Sequence, residues 1–538
     1  MAHSAQRRWY PPAAAIAALV LLPLSVLLLS WGEVDGEIWS HLWDTQMPRL
    51  LGNTLSLVLG VGVGVTLLGV SLAWLTALCE FPGRKWLDWA LMLPFAIPAY
   101  VLAFVFVGLL DFAGPVQSLL RELFGSGLRL PRVRSTGGVI LVLVLVFYPY
   151  VYLLARNAFL AQGKGLMEAA RVLGLSPWQA FWRVALPVAR PAIGAGLALA
   201  LMETLADFGA VSVFNFDTFT TAIYKTWYGF YSLSGATQLA SLLLLAVMVL
   251  LWGERRARGA SRPGNERARS AALYHLRGAR AFAASAWCGL VFACAFVVPV
   301  LQLLAWFWQR GRFDLDERYV GLILHTLYLG ALAAAITVAL ALLLAFARRL
   351  APTRRMQALV GLANLGYALP GSVLAVSIML AFSWLDRHLV IPLSGALGGA
   401  GKPLLLGSLA ALLLAYLIRF MAVAYGPLEG SLARIRPSLP EASRSLGVGG
   451  VRLFGRVYLP LLVPGVLSAA LLVFVDVLKE MPATLLMRPF GWDTLAVRVF
   501  EMTSEGEWAR AALPALTLVL VGLLPVIGLI RRSARRYG

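Results

Sequence analysis

Long apolar runs recur along the whole chain and dominate its pattern of hydrophobic and polar positions. A helical run of about 18 or more apolar residues can cross a hydrocarbon core of about 30 Å, because a helix rises about 1.5 Å per residue. The pattern therefore predicts an all-α integral membrane protein with about twelve transmembrane helices. We expect these helices at residues 13–31, 50–79, 88–111, 137–157, 191–215, 236–253, 283–307, 322–347, 357–385, 404–425, 464–488 and 509–530.

The polar segments between the apolar runs show that the chain repeats itself. Glu168-Ala-Ala-Arg-Val-Leu-Gly174 recurs as Glu441-Ala-Ser-Arg-Ser-Leu-Gly447, at an offset of 441 − 168 = 273 residues. Near the start of each half, Asn53-Thr-Leu matches His325-Thr-Leu at an offset of 325 − 53 = 272 residues. A repeat of this length predicts two copies of one unit with about six helices each.

The repeat divides the chain into two halves joined by a polar linker. We expect the first repeat at 1–253, the linker at 254–282 and the second repeat at 283–538. Since six is an even number, both copies begin and end on the same side of the membrane and run parallel. The segment from Glu254 to Arg280 holds eight arginines, so it is predicted to lie on the positive, cytoplasmic side.

Composition and charge support a membrane protein and exclude other classes. The chain is 60% hydrophobic and 13% charged, which no soluble globular protein of 538 residues matches. The chain has a net charge of +20. In a membrane protein such an excess of Lys and Arg is typically located in the cytoplasmic loops, so nucleic acid is not expected as a partner. One predicted outer loop, 111–135, carries four arginines against this rule. The remaining loops place both termini in the cytoplasm.

The two repeated loops, 158–190 and 426–463, are too polar to lie inside the membrane. Strong helix formers run into Gly174 and again into Gly447, and a glycine there allows the chain to turn at the end of a helix. Leu175-Ser-Pro177 then has the composition of a new helix start. We expect pairs of short helices at the membrane surface.

This repeated loop resembles the EAA loop of binding-protein-dependent ABC importers of type I. The resemblance implies that each loop docks on a separate ATP-hydrolysing subunit, so that two copies of the ATPase would drive the two halves of the permease. Ser443 replaces the second alanine in the second copy, a small residue in place of a small residue. The coupling role implied by the family falls on Glu168, Ala169, Ala170, Gly174, Glu441, Ala442 and Gly447.

A phosphate-binding loop is missing from the sequence, so the chain is not expected to be an enzyme. The pattern Gly-x-x-x-x-Gly-Lys-Ser/Thr does not occur. The fragment nearest to it is Gly401-Lys402, which Pro403 follows and which has Ala396 where the first glycine belongs. ATP is therefore expected on the partner subunit, and no cofactor is expected on this chain.

Carboxylates inside the fifth apolar run of each half are candidates for a translocation path. Glu203 and Asp207 are spaced i, i+4 and share one helix face, and Asp476 and Glu480 repeat them at the 273-residue offset. A charge in such a run costs at least about 2.5–3.5 kcal/mol. Hard oxygen ligands suit a cation, so the four acids are predicted to line a path and to bind a metal ion transiently. Alternatively, Lys479 neutralises Asp476 or Glu480 in a structural ion pair.

The same regions resemble the ferric-iron permeases. The similarity lies in Glu203-Thr-Leu-Ala-Asp-Phe-Gly-Ala210, in Phe216-Asp-Thr-Phe-Thr-Thr-Ala-Ile-Tyr224 and in the segment from Lys479 to Thr494. It implies Fe³⁺ as the cargo, a periplasmic iron-binding protein as a partner, and a location in the bacterial inner membrane. Permeases for thiamine or a polyamine remain alternatives, because an organic cation would also favour the acids. A secondary cation transporter is the alternative of another class.

Overall fold

The computed structural model describes residues 7–32, 34, 36–125, 131–258, 274–396, 402–436 and 438–537. Within these ranges, twelve helical segments are long and apolar enough to cross a membrane, which confirms the prediction of about twelve. We number them spans 1 to 12: Tyr10–Gly32, Trp39–Leu78, Ala99–Phe124, Thr136–Ala161, Pro177–Ala206, Leu233–Gly253, Ala279–Gln309, Glu317–Leu350, Gly371–Ala396, Leu409–Ala433, Phe454–Lys479 and Trp508–Gly528.

Short helices connect the spans. Span 5 begins with a short helix that passes through one π-helical turn into the long helix, and span 11 begins with the corresponding π-helical turn. Span 3 divides into Ala99–Leu110 and Pro115–Phe124. The short helices outside the spans are Arg84–Ala90, Gly163–Val172, Gly209–Val213, Phe219–Phe230, Arg354–Ala363, Ser438–Ser445, Gly450–Leu453, Pro482–Met487 and Leu495–Ser504.

Prolines set the start of spans 3 and 9, and here the predicted boundaries are wrong. The predicted helix 88–111 is interrupted, and its long part begins only at Ala99 because Pro98 is extended, with ψ 147°. The predicted helix 357–385 likewise begins its long part at Gly371, directly after Pro370. Proline has no amide hydrogen to donate, and it disfavours helical backbone in the residue before it.

The helices form two compact units that interleave the two sequence repeats. Unit 1 comprises Met1–Gly36, Ile223–Leu242 and Asp316–Val497, and unit 2 comprises Glu37–Ala222, Leu243–Leu315 and Arg498–Gly538. The boundaries 1–253, 254–282 and 283–538 describe the repeat in the sequence and remain a prediction. The two packed units do not coincide with them, because each unit contains segments of both repeats. Residues 259–273 of the linker and Arg129 of the arginine-bearing loop lie outside the described residues.

Unit 2 also contains one pair of two-residue β-strands. Strand β1 (Cys79–Glu80) pairs in parallel with strand β2 (Tyr274–His275), which lies within the predicted linker. The amide of Leu276 also donates to the carbonyl of Glu80 at 3.0 Å. Apart from this pair, the described residues contain no β structure, in agreement with the all-helical prediction.

Glycines in span 2 allow span 4 to pack closely in unit 2. A Cβ atom at Gly64 would lie 2.4 Å from a methyl group of Val144. At Gly69 it would lie 2.8 Å from Cβ of Val151 and 2.9 Å from the amide nitrogen of Tyr152. Membrane helices approach closely where their contact residues are small. Close packing is what holds them together, because lipid tails are as apolar as the side chains and no hydrophobic effect favours association.

Enlarging Gly69 should therefore destabilise unit 2. We expect Gly69→Val to lower the free energy of unfolding by about 1–3 kcal/mol, because the new side chain meets backbone that cannot move aside. The thermal unfolding midpoint of the purified protein in detergent measures the effect. Gly52→Val is the control, since Gly52 lies on the same helix with nothing within 4 Å of its added Cβ. Equal midpoints for both variants would contradict this packing.

Candidate functional site

Both EAA-like loops fold into the predicted short helices, and each helix ends at the predicted glycine. Gly163–Val172 is followed by Gly174 with φ +76°, and Ser438–Ser445 is followed by Gly447 with φ +78°. Across the first turn, the amide of Leu175 donates to the carbonyl of Ala170 at 3.0 Å. Across the second, Val448 donates to Ser443 at 2.9 Å. This 6→1 bond over a left-handed glycine is the Schellman helix end, and it occurs in both copies.

A second short helix leads from each loop into the next span. In the first copy it is Pro177–Ala180, and Ser176 and Gln179 form a reciprocal capping box at its start. In the second copy it is Gly450–Leu453, which continues into span 11. The loop residues are thus held on two helices at a fixed turn.

The coupling residues predicted from sequence are mostly exposed. Glu168, Ala169, Glu441 and Ala442 face solvent, whereas Ala170 is buried against its own unit. A leucine that sequence reasoning missed directly precedes each glycine, with Leu173 79% exposed and Leu446 83% exposed. Its occurrence in both copies was the available signal. An exposed apolar residue beside a sharp turn is suited to enter a cleft on another subunit.

Aromatic contacts brace each loop against the second span of its repeat. The ring of Trp74 in span 2 packs edge-on against Phe181 with centroids 4.8 Å apart. The ring of Phe346 in span 8 packs against Phe454 at 5.3 Å, in the same arrangement. Phe181 and Phe454 both start the π-helical turn that follows a loop. Packed side chains therefore connect each loop to a long helix.

Spans 5 and 11 stop at the acidic residues, and the predicted spans 191–215 and 464–488 are wrong at this end. The long helices end at Ala206 and Lys479, and the next residues, Asp207 and Glu480, have extended backbones. The Asp207 carboxylate accepts a hydrogen bond from the Val211 amide at 3.0 Å.

The second copy of the break has the same hydrogen bonds. The Glu480 carboxylate accepts from the Ala483 amide at 3.1 Å, at the start of the next short helix. The Thr484 hydroxyl donates to the Glu480 carbonyl at 2.6 Å, and the Thr220 hydroxyl donates to the Asp207 carbonyl at the same distance. Each acid thereby satisfies backbone amides that the break sets free.

A buried arginine distinguishes the second copy. The guanidinium of Arg419 in span 10 pairs with the Glu480 carboxylate at 3.0 Å, and its other end donates to the carbonyl of Leu369 at 3.2 Å. Both side chains are largely buried. The sequence alternative was that Lys479 neutralises Asp476 or Glu480. Lys479 interacts electrostatically with Asp476, as one branch of that alternative expects, and Glu480 has a further partner, Arg419, that sequence reasoning did not include.

The first copy has no arginine at the matching position, since 419 − 273 = 146 is a valine. Glu203 and Asp476 lie one turn before the breaks and are half-buried. Glu203 and Asp207 belong to unit 2, whereas Asp476 and Glu480 belong to unit 1. The convergence of the four acids stays a prediction. Among the described residues, no group of three or more His, Cys, Asp or Glu side chains could hold a metal ion.

The proteins that this chain resembles are permeases of binding-protein-dependent transport systems. Residues 65–253 match the family described as the binding-protein-dependent transport system inner membrane component. The chain is 28% identical to the Fe(3+)-transport system permease protein FbpB 2 of Haemophilus influenzae, over 90% of each chain. It is 28% identical to a probable sulfate transport system permease protein cysT of Chlorokybus atmophyticus, over 44% of this chain and 82% of the relative. It is 34% identical to the sulfate permease protein CysW of Escherichia coli, over 33% and 57%.

The Arg419–Glu480 pair should contribute strongly to stability when one partner is removed. We expect Arg419→Met to cost about 3–5 kcal/mol of unfolding free energy, because it leaves an uncompensated buried carboxylate. The thermal unfolding midpoint reports the loss. The double variant Arg419→Met with Glu480→Gln should recover part of it. Arg348→Met is the control, because its pair with Glu429 is about 40% exposed on both sides and is worth only about 0–1 kcal/mol.

Proposed function

We propose ferric iron as the cargo of this chain, which is a permease of the binding-protein-dependent ABC importers. The observation that carries the proposal is a sequence identity of 28% to a ferric-iron permease. This match covers 90% of both chains and therefore includes both repeats. A permease of this family is a transport subunit and not itself the catalyst. The iron is substrate, and ATP belongs to partner subunits.

The two EAA-like loops are proposed as the contacts with two copies of an ATPase subunit. Their exposed leucines and their rigid glycine turns present the same surface twice. The aromatic braces Trp74–Phe181 and Phe346–Phe454 would transmit ATP-driven motion of each loop to spans 2 and 8. This arrangement requires both loops, and therefore both termini and the linker, on the cytoplasmic side of the inner membrane.

The acids at the ends of spans 5 and 11 are proposed to line the path for the cation. Glu203 and Asp207 would line it in the first copy, and Asp476 and Glu480 in the second. A carboxylate that also caps a helix offers only part of its oxygen lone pairs to an ion, which keeps binding weak enough for release. A periplasmic iron-binding protein would deliver Fe³⁺ to this site.

A sulfate permease is the second candidate, because several relatives carry sulfate in their names. Carboxylates at the helix breaks oppose an anion, since a sulfate path should present cations or helix N-termini that are not already capped. Thiamine or a polyamine fits the same acids as ferric iron. Uptake of radioactive iron in the presence of an excess of sulfate, thiamine or spermidine separates these cargoes.

Disturbing a glycine turn should uncouple transport. We expect Gly174→Asp together with Gly447→Asp to abolish uptake of radioactive iron in cells, because an L residue is strained at these positive φ angles and the new charge lies at the docking surface. Gly449→Asp is the matched control, as Gly449 has an ordinary φ, open space around it and a helix start where aspartate is favoured. Normal uptake by the double variant, assembled with its ATPase, would rule out the coupling role.

Neutralising the acids of the first copy should reduce uptake without unfolding the protein. We expect Glu203→Gln with Asp207→Asn to lower the rate of iron uptake at least about tenfold, while the unfolding midpoint changes little because Asn can still cap a helix. Glu80→Gln serves as the control, since this acid pairs with Arg84 away from the helix breaks and outside both loops. Wild-type uptake in the double variant would remove these acids from the path.

A further inference from the structure

The turn between the short helices Pro482–Met487 and Leu495–Ser504 breaks the correspondence between the repeats. Glu480 matches Asp207 at an offset of 480 − 207 = 273, and the Asp-Thr pair before the next helix matches at 493 − 217 = 276. The second repeat therefore has three more residues at this place. They fall between Glu480 and Asp493, a segment that contains Arg488-Pro-Phe-Gly491, and the translocation and coupling roles described above make no use of that stretch.

The stretch Arg488-Pro-Phe-Gly491 forms a well-defined tight turn. The amide of Trp492 donates to the carbonyl of Pro489 at 3.1 Å, which closes a four-residue turn. Gly491 has φ +78°, the value that the third position of a type II turn requires. The residue at the second position, where the turn protrudes, is Phe490.

Side chains of unit 1 brace this turn from both sides. Arg488 pairs with Asp493 across its base at 3.2 Å. The ring of Trp492 stacks on His325 of span 8 with centroids 4.7 Å apart and an interplanar angle of 27°. The next helix is fixed as well, because the Leu495 amide donates to the Thr326 hydroxyl at 3.0 Å. The turn is thus held in one conformation before any partner binds.

Phe490 is presented at the tip of the turn with its side chain fully in the open. Its relative exposure is 105%, the highest of the large apolar side chains among the described residues. The counterpart stretch of the first repeat carries no such residue. Asp217 there pairs with Arg49 at 3.2 Å, and its carbonyl accepts from Asn53. An exposed aromatic ring on a preorganised turn is the kind of anchor that dominates protein interfaces.

We propose that Phe490 is an anchor by which the permease engages its substrate-binding protein, the ring entering an apolar pocket on that partner. The proposal rests on the proposed function for the existence of such a partner. Span 11 is about 39 Å long at about 1.5 Å per residue, and the turn lies beyond the end of it that is remote from the loop at Gly447. A turn on that side meets the protein that delivers the cargo and not the ATPase.

A protein partner fits the turn better than a lipid surface. Arg488 and Asp493 flank the ring with an ion pair, which is costly to bury in acyl chains and ordinary at the rim of a protein interface. The protrusion occurs in only one repeat, so it suits a single asymmetric partner that must bind in one orientation. Arg488 directly follows the helix that Glu480 caps, which connects docking at Phe490 to the acid at the helix break.

Binding measurements with the intact complex test the proposal. The permease with its ATPase is placed in nanodiscs, and the probe is the Fe³⁺-loaded periplasmic binding protein of the same organism. We expect Phe490→Ala to weaken binding at least about tenfold, as removal of a central aromatic anchor does. Deletion of residues 489–491, which gives the turn the length of its first-repeat counterpart, should weaken binding as strongly. Phe490→Trp should retain most of the affinity.

Phe282→Ala is the matched control, because Phe282 is also highly exposed but lies near the start of span 7, at the linker side. Its affinity should equal that of the wild type, and unfolding midpoints of all variants confirm that they are folded. Wild-type affinity for both Phe490→Ala and the deletion would overturn the proposal while leaving iron transport in place. Absence of binding by the wild-type complex itself would instead overturn the proposed function, and the anchor with it.

Discussion

A helix that stops within an apolar stretch must find partners for the backbone groups it sets free, and this requirement shapes the ends of spans 5 and 11. Spans 5 and 11 both stop in this way, and in both a carboxylate accepts from the next helix while a threonine hydroxyl binds the carbonyl of the acid. Unsatisfied amides and carbonyls away from water cost several kcal/mol each. The acids at 207 and 480 are therefore structural caps first, and any role on a cation path uses the oxygen positions that remain.

The need to satisfy backbone hydrogen bonds explains why the number of helices was predictable from the sequence and the positions of the helix breaks were not. Helix number followed from the length of apolar runs, because lipid leaves the backbone little choice but the helix. The breaks after Ala206 and Lys479 were missed, since the apolar run continues past them and the caps come from threonines 13 and 4 residues further on. The grouping of spans into units 1 and 2 was missed as well, because a repeat in sequence does not say which helix packs with which copy.

At the candidate sites, local patterns were informative and long-range pairings were not. The turns at Gly174 and Gly447 were predictable because only a residue without a side chain readily adopts a positive φ at a helix end. Arg419 could not be assigned to Glu480 from sequence, since 61 residues separate them and Lys479 is the direct neighbour. Lys479 interacts electrostatically with Asp476, three residues before it, so the local charge partner could be predicted and the distant one could not.

The central claim is that this chain moves ferric iron with energy from ATP hydrolysed by a partner. Proteoliposomes containing the permease, its ATPase and the iron-loaded binding protein measure it directly, through accumulation of radioactive iron with ATP or with an imposed proton gradient. The account predicts accumulation only when ATP and the binding protein are both present, and none with the gradient alone. Accumulation driven by the gradient without ATP would contradict it and would favour a secondary transporter.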